Sequence, residues 1–127
     1  MSADIYIPGS CNIGKGEIRR RQTVALIGLF LVFFSASTIL GTEQSRSVRL
    51  SIFLPAMIFA VGFIQARKKF CLAYGLAGTF NFGKLGSITK VQSEADKKAD
   101  RKTAINIFVQ SALLAAAITL VFFALPL

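Results

Sequence analysis

At 127 residues the chain has room for one small domain, yet 54% of it is hydrophobic and its mean hydropathy is +0.60. A water-soluble fold of this size could not hide that much apolar surface, so a bilayer is the natural solvent. The net charge of +9, from 15 Lys and Arg against 6 Asp and Glu, would suit a nucleic-acid binder, but the placement of the charges along the chain argues against that reading.

Three uncharged stretches, 23–42, 50–66 and 103–127, set the architecture. A hydrocarbon core about 30 Å thick needs roughly 17–25 apolar helical residues to cross it. The expectation is an all-α membrane protein with three transmembrane helices over about 18–41, 49–67 and 102–125. They form a single domain over 1–127, with a short cytoplasmic leader, 1–17, and a cytoplasmic loop, 67–102. The second stretch is the shortest, and Arg49 and Arg67 can extend their aliphatic stems to the headgroups on either side.

In chain order, residues 1–14 read as a mixed leader with a turn at Pro8 and Gly9. Asp4, Pro8, Gly9 and four basic residues within 1–22 leave no apolar run for a cleavable signal, so the first helix reads as a retained anchor. That helix should begin near Lys15 to Glu17, with Glu17 spaced to pair with Arg20 or Arg21. Gly28, Ser35 and Ser37 offer small surfaces for close packing, and Gly41 and Thr42 end the helix. The short connection that follows predicts an antiparallel hairpin. In the second helix Pro55 removes a backbone donor and should kink it. Ala56 with Ala60, and Gly62 with Ala66, place small residues four apart for contact with a neighbour.

The stretch Phe70 to Gly86 mixes aromatic residues with glycines and is too short to span. It reads as an amphipathic or partly irregular segment at the membrane interface, its aromatic rings directed toward lipid or the bundle. Helical patterning returns at Ser93, a plausible N-cap with Glu94 and Asp96 in the first turn. Glu94 is spaced to pair with Lys98. Ser111 with Ala115, and Ala112 with Ala116, mark the packing face of the third span.

Charge gives the orientation. Four Lys and Arg precede the first span, two separate the first and second, and nine lie between the second and third. This positive-inside bias predicts a cytoplasmic N-terminus and long loop, and a C-terminus on the outside of the cytoplasmic (inner) membrane. The clusters Arg19, Arg20 and Arg21, and Arg67, Lys68 and Lys69, would contact anionic lipid headgroups or a partner, or serve topology alone.

Cys11 and Cys71 are the only cysteines and fall on the same predicted side. They are candidate reactive thiols with basic neighbours, or two reduced and buried small residues. With no His in the chain, His-ligated haem is excluded and two thiolates alone do not complete a metal shell, so no metal or other cofactor is expected. Gly78 to Lys84 matches the start of a phosphate-binding loop, but Leu85 replaces the magnesium-binding hydroxyl residue, which favours a simple turn. Between their flanking charges the spans contain no Asp, Glu, Lys or Arg, which argues against a self-contained pump or transporter.

Asn12-Ile13-Gly14, the basic Arg20 and Arg21, Gly28, Gly62, and Cys71-x-x-Tyr74-x-Leu76-x-Gly78 resemble the YgaP-like family of small bacterial inner-membrane proteins. The resemblance covers about residues 12–78 and implies a helical hairpin module. In that family the second helix is followed by Cys-Pro-x-Tyr, whereas Leu72 stands here in place of the Pro. Some members are joined to a rhodanese sulfurtransferase domain, so the resemblance draws attention to Cys71 without supplying a reaction. The function expected is a non-enzymatic accessory or structural subunit, packing in a larger complex or homo-oligomer through Gly28, Ala56, Ala60, Gly62, Ser111 and Ala115. The alternative is a membrane-bound thiol protein using Cys71, and with it Cys11, in sulfur transfer or redox sensing.

Overall fold

The computed structural model describes residues 6–82 and 88–126. The fold is all-α, with three helices long and apolar enough to cross a membrane: Lys15–Gly41, Arg46–Lys68 and Glu94–Ala124. In full, α1 (Lys15–Gly41) leads through a short connection to a 3-10 helix (Arg46–Ile52) that runs directly into α2 (Phe53–Lys68). A short α3 (Leu72–Ala77) and two-residue strands β1 (Thr79–Phe80) and β2 (Thr89–Lys90) precede α4 (Glu94–Ala124). The strands form one small antiparallel ladder, Thr79 opposite Lys90 and Phe80 opposite Thr89.

Pro55 lies within the second span, Arg46–Lys68. It falls in the first turn of α2, just after the 3-10 segment, where the backbone is already changing its hydrogen-bonding pattern. A missing N–H costs least at such a junction, and the change of helix type falls beside the proline for which the sequence predicts a kink. In α1 the hydroxyls of Thr23, Thr38 and Thr42 donate to the carbonyls of Arg19, Phe34 and Thr38, so these polar groups are satisfied within the helix. Ser93 caps α4 as its sequence suggests, accepting from the Asp96 amide at 3.3 Å. Glu94 pairs with Lys97 at 3.2 Å rather than with Lys98, one residue nearer than expected on the same helical face.

Packing places α2 in the centre, with α1 and α4 antiparallel to it on either side. The contact with α1 is set by two glycines. A Cβ on Gly28 would lie 2.4 Å from the Phe59 amide nitrogen, and one on Gly62 would lie 2.7 Å from that of Ala25. The two backbones meet at a distance that no other residue allows. The contact with α4 uses the alanine face instead: Ala56 and Ala60 form a buried cluster with Ala115. Along α4 the buried positions run Asp100, Ala104, Ile107, Ser111, Ala115, Thr119 and Phe122, a stripe at three- and four-residue spacing. Outward positions such as Leu26, Phe30, Leu113 and Leu120 stay exposed, which suits a fold whose solvent is hydrocarbon.

α2 ends on Lys69 in the left-handed region (φ 55°), with the Phe70 amide donating to Gln65 O at 3.1 Å and the Lys69 amide to Ala66 O at 3.4 Å. This is the Schellman arrangement, and it turns Phe70 inward. Phe70 is fully buried with Ala104 and Ile107. The aromatic segment after α2 therefore puts its first ring into the bundle rather than into lipid. Gly83 and Gly86 lie outside the described residues, as does the end of the phosphate-loop match at Lys84 and Leu85.

The leader is not a loose tail. Ile7 bridges Cys11 in a tight turn, and Ile13 bridges Asn81. Cys11, Asn12, Ile13 and Gly14 are all buried. At the opposite end of the bundle, Arg49 Nη1 donates to the carbonyls of Phe122 (3.0 Å) and Leu125 (2.9 Å). Arg46 Nη1 donates to those of Phe123 (2.5 Å) and Leu125 (3.1 Å). Two cations thus close the carbonyl end of α4, where the helix dipole favours them.

Candidate functional site at the basic end of the bundle

The antiparallel order brings the start of α1, the end of α2, α3 and the start of α4 to one end. There the leader and the segment after α2 fold over the helices through a polar cluster centred on Glu17 and Asn12. Glu17 is fully buried and accepts from Arg21 Nη1 (2.6 Å), Tyr74 Oη (2.7 Å) and Asn81 Nδ2 (2.9 Å). A buried carboxylate is costly unless paired and hydrogen-bonded, and three donors meet that need. Asn12 forms a two-way clasp with Cys71, its Oδ1 accepting from the Cys71 amide at 2.7 Å and its Nδ2 donating to the Cys71 carbonyl at 3.2 Å. Its backbone links Lys69 O to the Asn81 amide, at 3.1 and 2.9 Å. Gln65 adds a third tie, accepting from the Leu72 amide at 2.7 Å.

Cys71 is 2% exposed, and Arg21 Nη2 lies 2.7 Å from its sulfur. One guanidinium therefore bridges a carboxylate and a thiol while lying over the Tyr74 ring at 5.9 Å. A groove of about 510 Å³ opens beside this contact, walled by Arg20, Val24, Gln65, Leu72 and Tyr74. Burial, reinforced by the hydrogen bond to Glu17, raises the pKa of Tyr74 above its ordinary value. Tyr6 behaves alike: burial and then its 2.5 Å bond to Asp100 push its pKa well up. Asp100 is fully buried, takes a second donor from the Gly9 amide at 2.7 Å, and with Thr103 donating to Gly9 O (2.7 Å) pins the leader to α4.

The sequence-predicted residues divide accordingly. Cys71 and Arg21 meet; Cys11 is buried elsewhere in the leader, its sulfur 3.7 Å from Ile13 O. Arg19, Arg20, Arg67, Lys68 and Lys69 are exposed around this end, with Arg67 over the Phe63 ring at 5.7 Å. Arg21, part-buried, bonds Glu17 and Cys71 inside the fold and also lines the groove. Gly28, Gly62, Ala56, Ala60 and Ala115 make helix contacts within this chain. Ser111 is buried beside them, its Oγ without a hydrogen-bond partner.

Sequence reasoning missed Asn12, Tyr74, Asn81 and Asp100 as parts of the cluster. Asp100 was detectable, since it shares a helical face with Ala104 and Ile107, and an acidic residue on an apolar stripe needs buried partners. Among the described residues, no group of three or more His, Cys, Asp and Glu could hold a metal ion. No family model, curated protein or solved structure matches the chain.

Proposed function

We propose that this protein is a multi-pass membrane subunit that works by packing and not by catalysis. In this reading the basic end lies in the cytoplasm, the helices cross the inner membrane of a bacterium, and the C-terminus is outside. The observation that carries it is how the basic-end cluster spends its polar groups. Glu17, Asn12, Gln65 and Asp100 direct theirs at the chain itself, as a latch does and as a substrate site does not. The exposed Arg19, Arg20, Arg67, Lys68 and Lys69 then face anionic headgroups, each contributing about 1 kcal/mol. The YgaP-like hairpin fits this reading, because Asn12, Cys71 and Tyr74, which carry the resemblance, all join the latch. Purification in mild detergent tests the proposal: a co-purifying chain or a defined homo-oligomer is expected, and a clean monomer would count against it.

One observation favours a second reading, a membrane-bound thiol protein. A guanidinium lies 2.7 Å from the sulfur of Cys71, which also lines the open groove beside it. Alkylation of native membranes followed by mass spectrometry separates the two readings. The subunit reading expects Cys71 to label slowly until the protein is unfolded, whereas rapid labelling in the native state would support the thiol role.

A further inference from the structure

α1 and α4 each pack on α2 and hardly on each other. Between them runs an apolar cleft of about 640 Å³, floored by Ile52 and Phe59, with Ser37 the one polar residue on its lining. That volume is within the range of about 300–1,000 Å³ typical of ligand clefts. Its α1 wall extends from Leu29 to Leu40, about 17 Å at the helical rise. One leaflet of hydrocarbon is about 15 Å deep. An extended alkyl chain matches both this length and the apolar lining.

The end of the cleft is cationic. Leu125 and Phe122 line it, and Arg46 and Arg49 bind their carbonyls or that of the adjacent Phe123. Arg46 is exposed, and these bonds use only its Nη1, whereas a guanidinium carries five N–H donors. Glu43 is the only acidic residue in the stretch 42–52 that carries the two arginines.

We infer that the cleft holds an acyl chain of an anionic phospholipid from the leaflet on the Arg46 side, with its phosphate on Arg46. The inference rests on the membrane reading above and adds a specific ligand to it. Native mass spectrometry of the whole protein, extracted in mild detergent and supplied with equal phosphatidylglycerol and phosphatidylcholine, reads the outcome. Wild type should retain one more lipid than Ala117→Phe, whose ring projects from an exposed position on the cleft wall. Arg46→Gln should lower the phosphatidylglycerol preference about tenfold, while Arg49 still holds the end of α4. Equal lipid counts in wild type and Ala117→Phe would overturn the inference, as would an unchanged preference in Arg46→Gln. So would a wild-type dimer that Ala117→Phe abolishes, since a second copy would then fill the cleft. Failure of the membrane reading looks different: the protein would leave membranes in a carbonate wash. A clean monomer would count only against the subunit role, because its lipid count remains readable.

Discussion

Glu17 shows how much one side chain can organise. Sequence spacing offered Arg20 or Arg21 as its partner on α1, because such pairs are local and obey helical geometry, and Arg21 is the one that forms. Its other donors, Tyr74 and Asn81, lie 57 and 64 residues away, and no periodicity announces them. Tyr74→Phe should cost about 1–3 kcal/mol, since it removes one donor from a buried carboxylate. The pH dependence follows from the same contact. Tyr74 and Tyr6 have folded pKa values raised above their unfolded values of about 10. Their stabilising contribution is therefore complete below about pH 10 and is lost as pH rises further. Thermal unfolding in detergent between pH 8 and 12 should show wild type weakening above pH 10, and Tyr74→Phe weakening less steeply. Identical slopes would remove Tyr74 from this account.

At the scale of elements, the three long helices were legible because hydropathy and length alone decide them. The internal division of labour was only half legible. Small residues four apart marked packing faces, and Gly28, Gly62, Ala56, Ala60 and Ala115 all lie in helix contacts. Spacing could not say that the two glycines face α1 against α2 while the alanines face α4, because all sit on one apolar background. The leader was illegible, since short polar residues such as Asn12 acquire meaning only from partners far along the chain. Gly28→Ala and Gly62→Ala test the packing. Helix propensity alone predicts that each gains about 1 kcal/mol. The 2.4 and 2.7 Å approaches predict the opposite sign, with a net loss of about 1–3 kcal/mol from overpacking. Melting temperature in detergent decides between them, and an upward shift would mean that the helices can part freely.

For the whole molecule, charge and packing agree. Among the described residues, the antiparallel order collects Arg19, Arg20, Arg67, Lys68 and Lys69 at the end where Glu17 and Asp100 are buried, and leaves Arg46 and Arg49 at the other. The proposed orientation makes residue 90 and residue 126 report opposite compartments in reporter fusions, and a shared compartment would refute it. The tie between Gly9 and Asp100 carries a consequence for biosynthesis. Translation at about 5–20 residues per second separates these two partners by roughly 5–20 s on the ribosome. During that interval the beginning of the chain has no carboxylate to anchor it. The tie from Gly9 to Asp100 can close only once the last long helix has begun to emerge, so the turn around Gly9 should stay open to proteases until then.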